Sequence, residues 1–193
     1  MTAQPIVEYF KNYLPLNKEE IKLLNERTKQ RLIKRRQMIL QEGFVCKHYT
    51  FVVTGCFKMY GTDEKGNAHN ISFAAENDWI ADLGSFYSEK PSKLFIEALE
   101  PSTILQIEKT DLLFLFVNVT KFDRNFRVIV EEKLIELQNR LLLNFSSNTQ
   151  QRYTVFLEQY PNLAMRLSNV QIASYLGVTP EFLSKIRAQK PSK

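Results

Sequence analysis

The sequence predicts an α+β fold in three parts: a β-rich jelly roll preceded by helices, one long helix, and a small all-α domain. Three observations lead to this prediction. Short apolar segments separated by glycines follow Gln37, apolar residues at helical spacing follow Asp111, and two short helical patterns joined by Gly177 lie near the C-terminus. A chain of 193 residues is long enough for one ordinary domain and a small second one.

Residues 4–36 are predicted to be helical. Pro5 opens an amphipathic segment, and Asn17 with Glu20 three residues later forms a capping-box pattern before a second apolar run. The strongly basic run 27–36 follows. We interpret this run as a solvated helix end or an edge strand rather than as a nucleic-acid contact.

The region after Gln37 predicts about eight short strands, which is typical of a small barrel or jelly roll. Five glycines and a hairpin tip at 63–67 separate the apolar segments; the glycines are at positions 43, 55, 61, 66 and 84. The chain contains fourteen phenylalanines. They suit such a core because aromatic side chains pack well on a pleated, half-buried surface.

A long helix is predicted at about 121–147, after a shorter helix that Asp111 caps. One apolar stripe on the long helix consists of Phe126, Val130, Leu134, Leu137 and Leu141. A second stripe consists of Phe122, Ile129, Leu142 and Phe145. One stripe can cover the barrel while the other pairs with a second copy, so we predict that the first stripe forms a homodimer interface. A helix wholly buried in its own monomer is the alternative.

The predicted domains are 1–120 for the roll with its N-terminal helices, 121–147 for the dimerisation helix, and 148–193 for the C-terminal domain.

Charge is distributed unevenly between these parts. The last domain holds six Lys and Arg against two Asp and Glu, whereas residues 1–147 hold twenty against nineteen. This basic excess favours a polyanionic partner, most simply nucleic acid. A solvated basic surface is the alternative.

Residues 169–187 meet the steric demands of a helix-turn-helix. Ala173 is small enough for a close approach of the second helix, and Gly177 tolerates the positive φ that the corner requires. Thr179 is the predicted N-cap of the second helix, and Pro180 occupies its first position. The apolar residues spaced to close the inside are Ile172, Leu176, Val178, Leu183 and Ile186. A corner without a nucleic-acid role is the alternative.

The outward face of this second helix predicts contacts with double-stranded DNA. The first residues of a recognition helix meet base edges in the major groove. Glu181 can accept a hydrogen bond from cytosine, and Lys185 can donate one to guanine. Ser184, Arg187 and Lys190 are better placed for phosphates. The predicted DNA-binding residues are Thr179, Pro180, Glu181, Ser184, Lys185, Arg187 and Lys190.

This order of parts resembles the Crp/Fnr family of bacterial transcription regulators. The resemblance covers nearly the whole chain and depends on DWIADLGSF (78–86), IEALEPSTILQI (96–107), the helix near 121–147 and the 169–187 segment. The stretch YPNLAMRLSNVQIASYLGVTPEFLSKIR (160–187) is similar to short family members from Bacteroidetes-type bacteria. The resemblance implies a double-stranded β-helix roll of the cyclic nucleotide-binding type, a dimer, and RNA polymerase as a further partner.

In that family a Gly-Glu pair holds the ribose of a cyclic nucleotide, and an Arg followed by Ser or Thr holds the phosphate. Ala81-Asp82 stands at the first pair and Ser92-Lys93 at the second, so the implied effector pocket is Ala81, Asp82, Leu83, Ser92 and Lys93. Asp82 can still accept from a ribose hydroxyl. The phosphate-clamping arginine is missing, and a lysine does not reproduce its bidentate fork. We therefore expect no cofactor and no response to cyclic AMP through this cassette.

Other classes of function are excluded by composition. Two cysteines and two histidines are too few for a four-cysteine iron–sulfur cluster or a histidine-bound metal in an enzymatic jelly roll, so we expect no metal and no enzyme. No run of about 18 apolar residues is present, so we expect no membrane partner. The N-terminus lacks signal-peptide features, which favours the cytoplasm. The chain stops at Lys193, so we expect no C-terminal wing.

The prediction is therefore a homodimeric, sequence-specific DNA-binding transcriptional regulator. An unknown small molecule is the expected effector, and a roll that binds nothing and serves only as a dimer scaffold is the alternative. A different class of function also stays open. In it, the chain is a cyclic-nucleotide or other small-molecule sensor whose C-terminal helices contact protein rather than DNA.

Overall fold

The structure is a computed structural model that describes residues 2–188. This range contains nine helices and eight strands. The helices are α1 (Gln4–Phe10), α2 (Lys18–Glu26), α3 (Leu83–Ser88), α4 (Lys109–Asn118), α5 (Thr120–Ser146), α6 (Thr149–Gln159), α7 (Pro161–Arg166), α8 (Asn169–Leu176) and α9 (Pro180–Ala188). The strands are β1 (Lys29–Ile33), β2 (Met38–Leu40), β3 (His48–Thr54), β4 (Phe57–Thr62), β5 (Ala68–Ala74), β6 (Trp79–Ile80), β7 (Phe95–Ala98) and β8 (Ser102–Glu108).

The described chain forms two compact units. Unit 1 holds the described residues up to Tyr60 together with Phe73–Glu132, and unit 2 holds Gly61–Ser72 and the described residues from Lys133 onward. The border between the units lies inside α5, whereas the predicted domain borders, after 120 and 147, lie close to its two ends. No sequence pattern indicates that 61–72 groups with the C-terminal helices.

Two four-stranded sheets form the β-rich part, in the orders β1-β8-β3-β6 and β2-β7-β4-β5. Strand β8 is central to the first sheet and pairs antiparallel with both neighbours, so that Lys29 lies opposite Gln106 and Phe51 lies opposite Leu105. The predicted antiparallel β core of about eight strands, flanked by helices, is confirmed. The basic run after α2 forms β1, an outer strand, which agrees with the edge-strand interpretation.

The N-terminal prediction is right in part. Asn17 and Glu20 form the predicted capping box, in which the Asn17 side chain accepts from the Glu20 N–H. The helical region ends at Glu26 rather than near residue 36, because Lys29–Ile33 form a strand that pairs with β8. Asp111 lies in the first turn of α4, and Glu108 takes the N-cap position that the sequence pattern assigned to Asp111.

Aromatic side chains fill much of the core of unit 1. The Phe126 ring packs 4.9 Å from the Tyr49 ring and 5.5 Å from the Trp79 ring, measured between centroids. Phe122 and Ile129 are buried on the same part of α5. Only 4% of Phe126 is exposed, so this residue belongs to the core and not to the exposed stripe in which the helical spacing placed it. Periodicity alone could not show where the buried part of the helix ends.

Several kinds of site have no candidate residues in the part of the chain that the structure describes. Between residues 2 and 188, no helix combines the length and apolar character needed to cross a membrane. No group of three or more His, Cys, Asp or Glu in that range is placed to hold a metal ion. Cys46 and Cys56 are both buried, and no disulfide joins them in the described part of the chain.

We predict that Gly55→Ala strongly destabilises the fold. Gly55 has a φ of +103°, and a Cβ at this position would lie 2.0 Å from Ser102 Oγ and 2.9 Å from Ser102 Cα. Backbone strain and overlap together should lower the free energy of unfolding by about 3 kcal/mol or more. Urea unfolding monitored by circular dichroism measures this loss.

Gly43→Ala is the matched control for this prediction. Gly43 also has a positive φ, of +84°, but nothing lies within 4 Å of the position that a Cβ would take. This substitution should cost only the backbone strain, about 1 kcal/mol. Equal losses for the two variants would contradict the role given to the close approach of Ser102.

Candidate functional site

The α8–α9 pair is shaped by three local interactions. Ser168 caps α8 in a capping box with Gln171, and Gly177 ends the helix with a φ of 69°. This left-handed residue lets the Val178 N–H donate to the Ala173 carbonyl at 3.0 Å. Thr179 then starts α9, because its Oγ1 accepts from the Phe182 N–H at 3.2 Å. The predicted positive φ of Gly177 and the predicted N-cap position of Thr179 are confirmed.

The inner side of this pair is apolar and closed. The buried residues of the two helices are Ile172, Ala173, Leu176, Leu183 and Ile186, and Val178 between them is half-buried. Ala173 is fully buried, as expected for the residue at which the helices approach most closely. Phe182, in contrast, is 48% exposed. The two helices therefore form one packed body whose outer surface is set by the remaining residues of α9.

The outer surface of α9 presents four of the predicted contact residues to solvent, of which Arg187 is the last along the chain. Glu181, Ser184 and Lys185 are exposed on its first two turns, as is the capping Thr179, whereas Pro180 is half-buried. The Ser184 hydroxyl donates to the Pro180 carbonyl at 2.9 Å and thus bonds its own helix. Glu181 and Lys185 therefore have the side chains best placed to contact an external partner.

Arg187 has a different environment from the one that the sequence suggested. Its Nη1 donates to Oδ1 of Asn169, the first residue of α8. This bond joins the last part of α9 to the start of α8, so Arg187 holds the pair together in this structure. Lys190, the remaining predicted contact, lies outside the described residues.

Two of the residues predicted to form an effector pocket, Asp82 and Ser92, bond to each other. Ser92 Oγ donates to Asp82 Oδ2 at 2.6 Å, and the Ser85 N–H donates to Asp82 Oδ1 at 3.2 Å. Both oxygens of the carboxylate therefore have internal partners, and Asp82 serves as the N-cap of α3. Ala81 and Ser92 are buried, while Leu83 is 40% exposed and Lys93 is exposed.

The backbone around Ser92 is equally well fixed. Its N–H donates to the Phe44 carbonyl at 2.9 Å, and its carbonyl accepts from the Gly43 N–H at 2.8 Å. Nearby, the Cys46 N–H donates to the Ser85 hydroxyl at 2.9 Å. Burial raises the pKa of the Cys46 thiol, so this thiol stays protonated and weakly nucleophilic. A short, buried serine thus stands where the family pattern would place the phosphate-binding arginine.

The second half of α5 carries an exposed apolar surface. Val130 is 36% exposed, and Leu134, Leu137 and Leu141 are 53%, 48% and 48% exposed. These four residues of the predicted stripe share a helix face at steps of three and four residues. Further exposed apolar side chains of the same helix are Ile135, Leu142 and Phe145, of which Ile135 was not singled out from the sequence.

Sequence reasoning missed a set of polar contacts in unit 2. The pattern of segment 61–72 indicates only a hairpin, yet Asn70 and Ala68 bond to Ser174 on α8. Arg140 on α5 bonds to the carbonyls of Ile71 and Tyr175. These partners are separated by up to 106 residues along the chain, and no local pattern indicates them.

Comparison with known proteins supports the fold assignment. Residues 30–118 match the family model of the cyclic nucleotide-binding domain. No curated protein matches the sequence. FixK2 from Bradyrhizobium japonicum is similar in structure, with a TM-score of 0.73 and 19% identity over 84% of this chain and 83% of that one.

Two further solved structures share the fold. The c-di-GMP-responsive global regulator CLP of Xanthomonas campestris has a TM-score of 0.73 and 11% identity over 89% of this chain and 90% of that one. A protein from Eubacterium rectale assigned to the Crp/Fnr family of transcriptional regulators has a TM-score of 0.70 and 14% identity, over 93% of this chain and 85% of that one. Residues 30–118 therefore match the cyclic nucleotide-binding domain, and the chain shares its fold with regulators of the Crp/Fnr family.

Proposed function

We propose that this chain is a homodimeric, sequence-specific DNA-binding transcriptional regulator of the Crp/Fnr type. The observation that carries the proposal is the α8–α9 pair, two capped and closely packed helices with a left-handed glycine between them. Its second helix exposes Glu181 and Lys185 on the first two turns. In a recognition helix these are the turns that enter the major groove.

The two exposed side chains have complementary chemistry for reading a base pair. Lys185 donates hydrogen bonds and suits guanine O6 or N7, whereas the Glu181 carboxylate accepts and suits the cytosine amino group. Arg187 contributes indirectly, because its bond to Asn169 fixes the spacing between the helices. Of the remaining predicted contacts, Thr179, Ser184 and Lys190 carry donors that would serve the phosphates at the edges of the groove. Pro180 has no N–H to donate and would contribute only apolar contact.

The exposed face of α5 supports a dimer. Val130, Leu134, Leu137 and Leu141 form an apolar row that a second copy of the same helix can bury. Ion pairs between Arg127 and Glu131 (3.8 Å) and between Lys133 and Glu136 (3.0 Å) are exposed on the same helix outside this row. A two-fold dimer would place two recognition helices about 34 Å apart, one turn of DNA, and read a near-palindrome.

The roll of this regulator would not respond to cyclic AMP through the usual cassette. Asp82 is already bonded to Ser92 and Ser85, so a ribose hydroxyl would have to displace an internal donor. No arginine stands at position 92 or 93 to hold the phosphate. An effector of another kind, or none, is consistent with this geometry, and RNA polymerase remains a proposed partner from the family resemblance.

A second candidate function has one observation in its favour. Phe182, Met165 and Val170 are 48%, 80% and 62% exposed on the C-terminal helices. Exposed apolar side chains of this size favour a protein partner over a phosphate backbone. In this alternative, the chain is a sensor module whose C-terminal helices contact protein, and the DNA-binding measurement below separates the two.

We predict that Lys185→Ala lowers discrimination between DNA from upstream of the protein's own gene and scrambled DNA of equal length. Loss of a base-edge contact should reduce the ratio of the two affinities about tenfold. Fluorescence anisotropy at two salt concentrations measures both affinities, since phosphate contacts respond to salt and base contacts respond to sequence.

Lys22→Ala is the control for this measurement, because Lys22 is an exposed lysine on α2. It removes the same charge and should leave the ratio unchanged. If the Lys185→Ala variant discriminates between the two DNAs as well as the Lys22→Ala variant does, the assignment of Lys185 to base reading is wrong. Equal affinity of the wild-type protein for both DNAs would instead favour the protein-contact alternative.

We predict that Leu137→Glu weakens the dimer at least about tenfold, because a carboxylate would be buried without a partner in the interface. Analytical ultracentrifugation measures the dissociation constant. Leu113→Glu is the control, since Leu113 on α4 is similarly exposed, 46% against 48% for Leu137. A dimer that survives Leu137→Glu unchanged would place the interface elsewhere.

We predict that cyclic AMP at about 1 mM shifts the thermal midpoint of unfolding by less than about 1 °C. A ligand present at ~100 times its Kd would stabilise the fold by ~2.7 kcal/mol, which corresponds to a shift of roughly 5–10 °C for a chain of this size. Differential scanning fluorimetry with and without the nucleotide makes the comparison. A shift in that larger range would show that the roll holds the nucleotide by contacts other than the cassette.

A further inference from the structure

Segment 61–72 and Arg140 hold α8 through directed polar contacts within unit 2. We infer that Asn70, Arg140 and Ser174 are positioning residues for DNA reading: they fix the orientation of α8 and, through it, of α9. This inference rests on the proposed function. Segment 61–72, which we call the hairpin, contacts no DNA in the proposed mechanism.

The first contact satisfies the free edge of a strand. β5 is the outer strand of its sheet, so backbone groups on one side lack a strand partner. The Ser174 hydroxyl donates to the Ala68 carbonyl at 2.8 Å and accepts from the Asn70 N–H at 3.0 Å. One side chain of α8 therefore bridges a donor and an acceptor two residues apart on the strand edge, which fixes α8 along the strand.

A second contact comes from the strand itself. The Asn70 side chain donates through Nδ2 to the Gln171 carbonyl at 3.0 Å, and Asn70 is 7% exposed. Ser174 and Gln171 are three residues apart on α8 and lie on one face of the helix. The hairpin thus bonds α8 at two successive turns, and two points define the direction of a helix axis where one point would not.

Arg140 provides the third contact and joins three segments. Its guanidinium, carried by α5, donates to the Ile71 carbonyl and to the Tyr175 carbonyl, the latter at 3.0 Å, and lies 3.8 Å from the Tyr175 ring centroid. Burial raises the pKa of Tyr175, so the ring under the cation is a neutral phenol. The Tyr175 carbonyl belongs to the last turn of α8, which lacks helical donors and favours a cation.

These contacts also affect the orientation of α9, because α8 and α9 are packed against each other. Only Gly177, Val178 and Thr179 separate α8 from α9, and the buried residues Leu183 and Ile186 close the space between them. The contacted face of α8 (Gln171, Ser174 and Tyr175) differs from its buried face (Ile172, Ala173 and Leu176). Loss of the contacts would therefore free the orientation of the pair without opening its core.

We expect Ser174→Ala to lower discrimination between the upstream and the scrambled DNA about tenfold, the effect of losing two hydrogen bonds of ordinary strength. Affinity for scrambled DNA should stay unchanged, because no charge is removed. Ser174→Thr keeps the hydroxyl and should restore discrimination. Ser146→Ala is the matched control, since the Ser146 hydroxyl donates to the Leu142 carbonyl of its own helix at 2.8 Å.

A second measurement needs no DNA. The Asn70 amide proton is bonded to Ser174, so its hydrogen exchange should be slow in the wild-type protein and in Ser174→Thr, and at least about tenfold faster in Ser174→Ala. Arg140→Lys is a further variant with the charge retained. It should also lower discrimination, because a lysine cannot bond two carbonyls with the fork of a guanidinium.

The outcomes separate this inference from the proposed function. If the wild-type protein does not discriminate between the two DNAs, the proposed function fails, and the positioning role fails with it even where exchange is protected. The other outcome is that the wild-type protein discriminates between the two DNAs and that both variants, Ser174→Ala and Arg140→Lys, discriminate as well as it does. In that case the positioning inference is overturned while the proposed function stands. Fast exchange of the Asn70 amide in the wild-type protein also overturns it.

Discussion

The left-handed backbone at Gly177 is the constraint on which the candidate DNA-reading surface depends. A φ of 69° turns the chain sharply enough for α9 to start soon after α8 ends, with only residues 177–179 between them. The turn brings Leu183 and Ile186 to the buried face of α8 and leaves Lys185 on the outside. Any residue with a Cβ would be strained at this point, so one glycine sets both the closed inner side and the exposed outer side.

Asp82, a residue of the predicted effector pocket, has both carboxylate oxygens bonded within the chain. A carboxylate at position 82 needs donors wherever it is partly buried. Ser92 and Ser85 supply them from within the chain, where an external hydroxyl would otherwise be needed. Ser92, which stands at the position where the family resemblance implies an arginine, thus provides a donor for the carboxylate.

The sequence predicted several features that local chemistry determines, although it assigned the N-cap of α4 to Asp111 and not to Glu108. Asn17, Thr179 and Gly177 were assigned correctly because caps and corners depend on a few neighbouring residues. Phe126 and Leu137 follow the same helical period, yet one is 4% exposed and the other 48%. Periodicity defines a face of a helix but not the length over which the rest of the protein covers it.

The contacts of Ser174 could not be predicted from the sequence, for a related reason. Its partner Ala68 lies 106 residues away, and the bond uses a backbone carbonyl that every residue type would offer. An analogous bond of Ser184 stays within its own helix, so the residue type carries no signal of either role. Only the placement of a strand edge beside a helix distinguishes the two serines.

Two sets of contacts are proposed for this protein, the dimer contacts of the α5 leucines and the contacts that hold α8, and they differ in physical nature. The leucines of α5 would associate through apolar burial, which is strong but does not depend on direction. Ser174 and Arg140 act through hydrogen bonds, which are individually weak and depend on angle. Affinity between copies should therefore reside in α5, whereas the orientation of the reading helix should reside in the hairpin contacts. Because different residues carry the two properties, substitutions can change sequence discrimination without changing the assembly that presents it.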